Sequence, residues 1–410
     1  MKARLDHTVL AEVDGMLAGA DADAARMYPG DQDARQPVHT VYVPAHTYTA
    51  DAVRSWGAAA LAALADHAPG TDELARLLDL PPAVVAASLP LVRDKLAREP
   101  IEDLRVDFED GLGPCSDDDE DALAAAAGAA VRRAVEQGTC PPSIGPRVKS
   151  FEAATRARGI RTLDLFLGGV LAGGPLPDGF VVTLPKVTTV AQVEAMDRLC
   201  ERLEDAYALP SGRLRFEVQV ETPQVILAAD GTATVARIVH AASGRLSGLH
   251  YGTYDYSAAC GIAAGYQSLE HPVADHARAV MQLAAAGTGV SISDGSTNVV
   301  PVGDSAAVRS AWALHARLVR RSLERGFYQG WDLHPAQLPT RYLATYAFFR
   351  AGMADASARL RDYGGEGGVR GVQDEPATVH ALAGFVRRGL DCGAFTEDEL
   401  EAGSLREVVR

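Results

Sequence analysis

The segment LRFEVQVET, residues 214–222, alternates apolar and polar side chains with the period of a β-strand. One face carries only apolar side chains and the other only polar ones: Leu214, Phe216, Val218 and Val220 against Glu217, Gln219 and Glu221. The apolar face is expected to pack against helices. The polar face must then point to the inside of a closed barrel, where the carboxylates need cationic partners.

Seven further segments have strand character, and helical stretches such as residues 121–137 and 190–208 alternate with them. These strand segments are residues 39–45, 101–109, 144–150, 180–187, 245–255, 289–295 and 327–335. Eight strands alternating with helices predict an α/β fold, a (β/α)8 TIM barrel. The alternative, a doubly wound open sheet, is disfavoured because the chain has no G-x-G-x-x-G or Walker loop.

Three regions lie outside the repeating pattern. Residues 1–36 predict a helical N-terminal arm, and residues 339–410 a C-terminal helical extension. Between them, residues 37–338 form the predicted barrel, with a helical insert at 70–99 after the first strand. The glycine-rich stretch YGGEGGVRG, residues 363–371, is typical of a flexible link.

Composition narrows the class of protein. The chain has 410 residues, 47% of them hydrophobic, and a net charge of −15, which disfavours nucleic acid or an anionic membrane as partner. No apolar run is long enough to span a bilayer, and the first residues do not resemble a secretory signal. The five cysteines have no short pair spacing, so we expect reduced thiols, a cytoplasmic protein and no zinc site.

Charged residues gather where the predicted strands end, at the edge of a barrel that carries active sites. The second strand, in RVDFEDGLGP (residues 105–114), brings three carboxylates together within four positions. The complete set of charged strand-end residues is Asp107, Glu109, Asp110, Arg147, Lys149, Lys186, Glu221, Asp255, Asp294, Asp332 and His334. Oxygen ligands of this kind suit Mg²⁺ or Mn²⁺, whereas the alternative is a buried ion-pair network without metal.

Six short motifs, in order from about residue 39 to 338, resemble the citrate lyase β-subunit / HpcH–HpaI aldolase superfamily of phosphoenolpyruvate/pyruvate-type barrels. The motifs are VDFEDGLG, RVKS, LPKV, VETPQ, GTYDYSAACG and GFYQGWDLHPAQL. Asp110 stands where the HpcH–HpaI branch has a histidine, so the citrate-lyase-like branch is favoured. Tyr256 replaces the usual leucine of the sixth motif, and the insert and extensions are not typical of the short CoA-ester lyases.

The resemblance implies roles for the strand-end residues. Glu221 and Asp255 would ligate Mg²⁺ or Mn²⁺, while Asp107, Glu109 and Asp110 would hold metal-bound waters. Arg147 would bind the 2-oxo acid or acyl oxygen and stabilise the enolate. The resemblance also implies a homo-oligomer, a trimer or a hexamer, whose C-terminal tail covers a barrel mouth.

Other residues are candidates on their position alone. His46 and His334 are possible proton donors, although His334 also fits a strand-terminating role. Asp294 and Asp332 fit either bases or helix caps. Lys186 is a candidate for a Schiff base or for a buried cation. The remaining pocket candidates are Lys149, Thr222, Tyr254 and Trp331.

Three functions remain open. The first is a metal-dependent carbon–carbon lyase or aldolase acting on a 2-oxo acid such as pyruvate or oxaloacetate. The second is an acyl-CoA enzyme, of the malyl-CoA or citramalyl-CoA lyase or malate synthase type. It would need a basic groove, for which AVRRAV and LVRRSLERG are the candidates. The third is a catalytically silent barrel serving as subunit or sensor.

Overall fold

A computed structural model of the chain describes residue 5 and residues 7–30, 34–364 and 375–402. Eight parallel strands lie side by side in the order β7-β6-β5-β4-β3-β2-β1-β8. Their bounds are β1 His39–Pro44, β2 Asp103–Asp107, β3 Ser143–Arg147, β4 Val181–Leu184, β5 Arg215–Val220, β6 Leu246–Tyr251, β7 Ser291–Ser293 and β8 Gly330–Asp332. A bridge between Ser293 and Gln329 joins β7 to β8, so the sheet closes and the predicted (β/α)8 barrel is confirmed.

Helices follow each strand and also extend the chain at both ends. Their bounds are α1 His7–Met27, α2 Ala52–His67, α3 Thr71–Leu77, α4 Pro82–Arg98, α5 Asp117–Glu136, α6 Arg156–Leu171, α7 Val190–Tyr207, α8 Pro223–Ile226, α9 Thr234–Ala241, α10 Thr253–Ala259, α11 Pro272–Ala285, α12 Ser305–Glu324, α13 Leu338–Gly364, α14 Pro376–Asp391 and α15 Glu397–Ala402. Thus α1 lies in the arm, α3 and α4 in the insert, and α13 to α15 in the C-terminal extension.

Helix α5 shows why a charged sequence begins a helix here. The Ser116 hydroxyl accepts a hydrogen bond from the Asp119 amide at 3.2 Å, and four acidic residues occupy the first turn. A side-chain cap and negative charge both stabilise a helix N-terminus. The acidic run at 117–121 is therefore a helix start.

The hydrophobic core lies between the outside of the barrel and the helices. Phe108 and Phe166 meet edge to face at 5.9 Å, and Phe180 follows at 6.3 Å from Phe166, all of them buried. Outward-facing residues of β2, β4 and β5 join this core. The barrel interior is instead polar, as the alternation in residues 214–222 predicts.

The strand register arranges the inward residues in levels. Paired strands are staggered as an eight-stranded barrel requires, so side chains of alternate strands share a level. Tyr42 on β1, Arg147 on β3 and Gln219 on β5 share one level. Glu221 lies above it towards the strand ends, and Glu217 lies below it.

Three further expectations concern the glycine-rich stretch, membrane spans and the cysteines. Residues 365–371 of the glycine-rich stretch lie outside the described residues. No single helix in the described ranges has the length and apolarity of a membrane span, although α3 and the adjoining α4, bent by 105°, pass that test when taken together. All five cysteines are free thiols.

Candidate active site

Asp107, the last residue of β2, fixes the guanidinium at the base of the site. Its carboxylate accepts hydrogen bonds from Arg147 Nε at 2.7 Å and Nη2 at 2.5 Å. It also accepts the backbone amides of Glu109 at 3.0 Å and Gly111 at 2.9 Å. With these four donors Asp107 is committed to positioning Arg147 and the following turn, a different role from the water-holding one that the resemblance implies.

Arg147 is a permanently charged group enclosed by the barrel. Its guanidinium lies over the Tyr42 ring at 4.7 Å, and Nη1 is 3.3 Å from Glu109 Oε2. Burial opposes the charge, but Asp107 and Glu109 together raise the pKa of Arg147 further. A planar guanidinium held in this way is suited to a carboxylate or enolate oxygen of a substrate.

Lys186 gathers the carboxylates from three strand ends. Its backbone adopts a left-handed conformation, φ 51°, and its amide donates to Glu221 Oε1 at 2.7 Å. Its ammonium bonds Glu109 and lies 3.1 Å from Asp110 Oδ1 and 3.5 Å from Asp255 Oδ2. Asp79, Ala208 and Ser243 also have positive φ, so Lys186 is distinguished by the combination of this conformation with its carboxylate contacts.

Burial makes this cluster electrostatically unbalanced. Glu221 is 3% exposed, and burial together with nearby Glu109 raises its pKa to about 8. Burial also raises the pKa of Glu109, despite Arg147 and Lys186. Although burial opposes it, the charge of Glu109 raises the pKa of Lys186. The cluster therefore has more buried negative charge than Lys186 alone can neutralise.

The residues fit the divalent metal that the sequence implies. Among the described residues no three histidine, cysteine or acidic side chains form a ready-made metal centre. However, Glu221 accepts the Lys186 amide while Asp255 lies beside the Lys186 ammonium, and buried Glu109 Oε2, 3.3 Å from Arg147 Nη1, accepts no hydrogen bond within the described ranges. Two carboxylates with water in the other positions are what Mg²⁺ prefers.

The floor of the site carries two groups that sequence reasoning left without a role. The Tyr42 hydroxyl and both polar atoms of the Gln219 amide are buried and have no partner in the described part of the chain. Each such group costs about 1–3 kcal/mol unless something bonds it. Alternation in residues 39–45 was the signal that could have placed Tyr42 inside.

Three of the predicted pocket residues make hydrogen bonds to other parts of the protein near the mouth of the barrel. Lys149 Nζ donates to Glu120 Oε2 at 2.6 Å and to the Phe108 carbonyl at 3.0 Å. Thr222 Oγ1 donates to the Val187 carbonyl at 2.6 Å. The Tyr254 hydroxyl accepts the Asn298 amide at 2.5 Å, so that side chain orders the loop after β7.

The histidines and Trp331 fall into different places. His46 is exposed in the turn after β1. His334 Nδ1 accepts the Ala336 amide at 3.2 Å and caps a short 3-10 helix that follows β8. Trp331 lies inside the barrel against Tyr42, with ring centroids 4.5 Å apart.

Asp294 and Asp332 are neither bases at the mouth nor helix caps. Asp294 contacts Arg278 Nη1 and Ser322 Oγ, both at 2.5 Å, on α11 and α12. Asp332 contacts His39, His315 and Arg341, and it is fully buried. Both side chains point outward from the barrel: Asp332 follows the inward-facing Trp331 on β8, and Asp294 directly follows β7.

Solved structures share the architecture. The Haloferax volcanii malate synthase in its lead(II) complex has a TM-score of 0.52 at 15% identity, covering 87% of this chain and 98% of that chain. A citrate lyase of Burkholderia xenovorans LB400 has a TM-score of 0.52 at 18% identity, covering 75% of this chain and 92% of that one. At these identities the likeness shows the fold, and the predicted resemblance to citrate-lyase-type barrels is confirmed at that level.

Sequence comparison identifies the family. No curated protein matches the chain. The model of the DUF6986 family, described as a domain of unknown function, matches residues 17–409 and therefore spans the arm, the barrel and the C-terminal extension. This chain belongs to the DUF6986 family.

Proposed function

We propose that this chain is a divalent-metal-dependent carbon–carbon lyase of the aldolase type, acting through the enolate of a 2-oxo acid such as pyruvate or oxaloacetate. One observation carries the proposal: Glu109, Glu221 and Asp255 converge from three strand ends beside the Arg147 guanidinium. The carboxylates and the guanidinium therefore lie around one position, where a metal held by the carboxylates and the positive charge of Arg147 could both stabilise an enolate.

The residues divide the chemistry between them. Glu221 and Asp255 would hold Mg²⁺ or Mn²⁺, which when bound supplies a Lewis acid for the substrate carbonyl. Arg147 binds the carboxylate or enolate oxygen. Asp110, whose side chain is 62% exposed, accepts the proton of the substrate hydroxyl as the carbon–carbon bond breaks. The bonding electrons pass to the carbonyl, giving an enolate that is then protonated to the 2-oxo acid.

Lys186 acts as a cation in this proposal and forms no Schiff base. A nucleophilic lysine needs a lowered pKa, whereas Glu109 raises the pKa of Lys186 against the effect of burial. The ammonium neutralises the carboxylates. The backbone amide of Lys186 orients Glu221 by donating a hydrogen bond to it. Its contacts with Glu109 and Asp110 also keep those carboxylates facing the mouth.

An acyl-CoA substrate has less support. The arginines of AVRRAV and LVRRSLERG lie near the C-terminal ends of α5 and α12, at the face of the barrel opposite the mouth. Arg320 Nη1 lies 3.4 Å from Asp79 Oδ2, and Arg321 and Arg325 pair with Asp275 at 2.8 and 2.6 Å. These side chains do not form a basic groove beside Glu221. A Haloferax volcanii malate synthase bound to pyruvate and acetyl-CoA, with a TM-score of 0.50, keeps this candidate as the second choice.

Proton NMR of pyruvate in D₂O tests the proposal. With Mg²⁺ or Mn²⁺ we expect the methyl signal to decay through enolate exchange, and EDTA or the Glu221→Gln substitution to stop the decay. Exchange that survives EDTA would contradict the metal-dependent mechanism. If pyruvate and oxaloacetate are both inert while acetyl-CoA exchanges its methyl protons, the acyl-CoA candidate replaces this one.

A further inference from the structure

A cavity opens at the end of the barrel where the strands begin, opposite the candidate active site. It encloses about 610 Å³, within the range of roughly 300–1,000 Å³ for small-molecule sites. First residues of several strands line it: Asp103, Ser143, Val181, Arg215 and Ser291. Barrel enzymes carry out their chemistry at the other face, so this cavity has no part in the candidate active site.

A layer of ion pairs separates the cavity from the candidate active site. Arg105 Nε and Nη2 donate to the Glu217 carboxylate at 3.0 and 2.8 Å, and His250 Nε2 lies 3.0 Å from Glu217 Oε2. Arg105 and Glu217 are nearly fully buried. A ligand entering from below would meet this layer and would not reach Arg147.

Arg215 is the unusual group in this cavity. Its Nε atom is buried and has no hydrogen-bond acceptor, and the described residues place no carboxylate within ion-pair distance of its guanidinium. Burial lowers its pKa with no neighbouring charge to compensate. By contrast, Arg213, two residues earlier, donates to the Leu176 carbonyl at 3.0 Å. A partly buried guanidinium without an acceptor is costly, so an acceptor from outside the chain would relieve it.

Two acidic residues beside Arg215 in the lining, Glu102 and Asp103, are already paired within the protein, while Asp178, Asp391, Arg387 and Arg388 complete the charged lining. Glu102 pairs with Arg35 Nη2 at 2.5 Å and with Lys95 Nζ at 2.6 Å, and Asp103 pairs with Arg105. These carboxylates therefore leave the Arg215 charge without compensation. Apolar residues also line the cavity, among them Pro37, Pro142, Val181 and Val290.

We propose that the cavity at the N-terminal end of the barrel binds an organic anion, whose carboxylate or phosphate head group pairs with Arg215 and whose apolar body packs on the apolar lining. The guanidinium offers paired donors that match either head group. The site is separate from the proposed lyase chemistry and does not depend on it.

Fluorescence titration with 1-anilinonaphthalene-8-sulfonate, an organic anion with an apolar body, tests the site. We expect hexanoate or hexyl phosphate to displace the dye, whichever has the preferred head group displacing it more strongly, and hexanol to displace it weakly. Arg215→Gln should weaken dye binding about tenfold or more, since a hydrogen bond to a charged group contributes about 1.5–3 kcal/mol. Arg198→Gln, which removes an exposed arginine of α7, should leave binding unchanged.

Two further variants keep the test decisive if Arg215→Gln fails to fold. Ser247→Phe fills the cavity without removing Arg215 and should abolish dye binding. Glu221→Gln alters the opposite end and should bind the dye as the wild type does. Unchanged binding in folded Ser247→Phe, loss of binding in Glu221→Gln, or displacement by hexanol as strong as by the anions would each overturn the proposal.

Discussion

Lys186 combines a left-handed backbone with an ammonium placed among carboxylates. The conformation turns its amide towards Glu221 and its side chain towards Glu109. A residue with positive φ costs of order 1 kcal/mol or more, which surrounding contacts must offset. The hydrogen bonds that Lys186 donates to Glu221 and Glu109 are charge-assisted, so they can offset the backbone strain at Lys186.

Lys186 should not form a covalent adduct with pyruvate. Glu109 raises its pKa, so the neutral amine that attacks a carbonyl is scarce at pH 7. Intact-protein mass spectrometry after incubation with pyruvate and sodium borohydride should therefore show unmodified protein. An adduct that disappears in Lys186→Met would instead identify a Schiff-base aldolase.

Gln219 and Tyr42 should affect activity more than stability. Replacing the unpartnered Gln219 amide by leucine removes buried polar atoms without breaking a bond, so Tm should stay equal or rise. If these groups hold a substrate oxygen, Gln219→Leu and Tyr42→Phe should each raise KM about tenfold in the exchange assay, because one hydrogen bond contributes about 1.4 kcal/mol in that case.

Gln329 provides the matched control. Its amide is also inside the barrel but donates to Thr40 Oγ1 at 2.9 Å and accepts from Gln36 at 3.2 Å. Gln329→Leu should therefore lower Tm. A loss of stability in Gln219→Leu comparable to that in Gln329→Leu would show that the Gln219 amide is bonded to an internal water rather than reserved for substrate.

The sequence predicts whether a single residue faces the barrel interior wherever the alternation of a strand alone decides it. Alternation in residues 214–222 placed Gln219 and Glu221 inside the barrel without knowledge of any partner. The role of Asp107 was not predictable in this way, because it depends on the stagger of β2 and β3 that pairs Asp107 with Arg147. The contact between Lys186 and Glu221 likewise depends on a backbone conformation that residue type does not specify.

At the level of elements, all eight strands were predictable, but their ends were not. Residues 180–187 were predicted as one strand, whereas β4 spans Val181–Leu184. The chain leaves the sheet early there because Lys186 turns into positive φ. The same shortening at β2 leaves Glu109 and Asp110 in a turn, where they can approach Lys186.

Asp332 joins four elements where the barrel closes. It binds His39 of β1 at 2.9 Å, His315 of α12 at 3.0 Å and Arg341 of α13 at 3.0 Å. His39 Nε2 accepts the Glu102 amide, so its Nδ1 carries the proton that Asp332 accepts. Burial would raise the pKa of Asp332, but Arg341 and the histidines hold it well below its usual value.

Asp332→Asn should lower the free energy of unfolding by about 3–5 kcal/mol at pH 7, since it leaves Arg341 buried without its anion. The difference from wild type should persist down to about pH 4. A carboxylate with a depressed folded-state pKa contributes its stability above the unfolded-state pKa of about 3.9 and loses it below. Urea unfolding at pH 7, 5 and 3.5 checks this.

A matched substitution separates this effect from ordinary surface charge. Asp94 pairs with Arg98 on the exposed face of α4, where ion pairs contribute little. Asp94→Asn should therefore leave the urea midpoint nearly unchanged. If the penalty of Asp332→Asn already shrinks between pH 7 and 5, Asp332 does not have the depressed pKa inferred from its contacts.

Across the whole molecule, the polar interior of the barrel lies between two separate features, the candidate active site at one end and the cavity at the other. Above the level of Tyr42, Arg147 and Gln219 the carboxylates converge for proposed metal chemistry. Below it, the Arg105–Glu217–His250 layer separates the interior from the cavity at the strand N-terminal ends. The fold class predicted the upper end, because barrels place sites at the carboxyl ends of strands. Nothing in the sequence pattern indicated the lower cavity.

The helices outside the barrel pattern differ in what they contribute to stability. Helix α1 has no buried residue, and its apolar Leu10 and Met16 are 63% and 77% exposed. Removing residues 1–29 should therefore lower Tm by no more than about 2 °C. Leu74 of α3 is instead 1% exposed, so Leu74→Ala should cost about 2–5 kcal/mol and lower Tm clearly. Calorimetry at two protein concentrations checks both variants, and a large, concentration-dependent loss in the truncated chain would show that α1 packs against another copy.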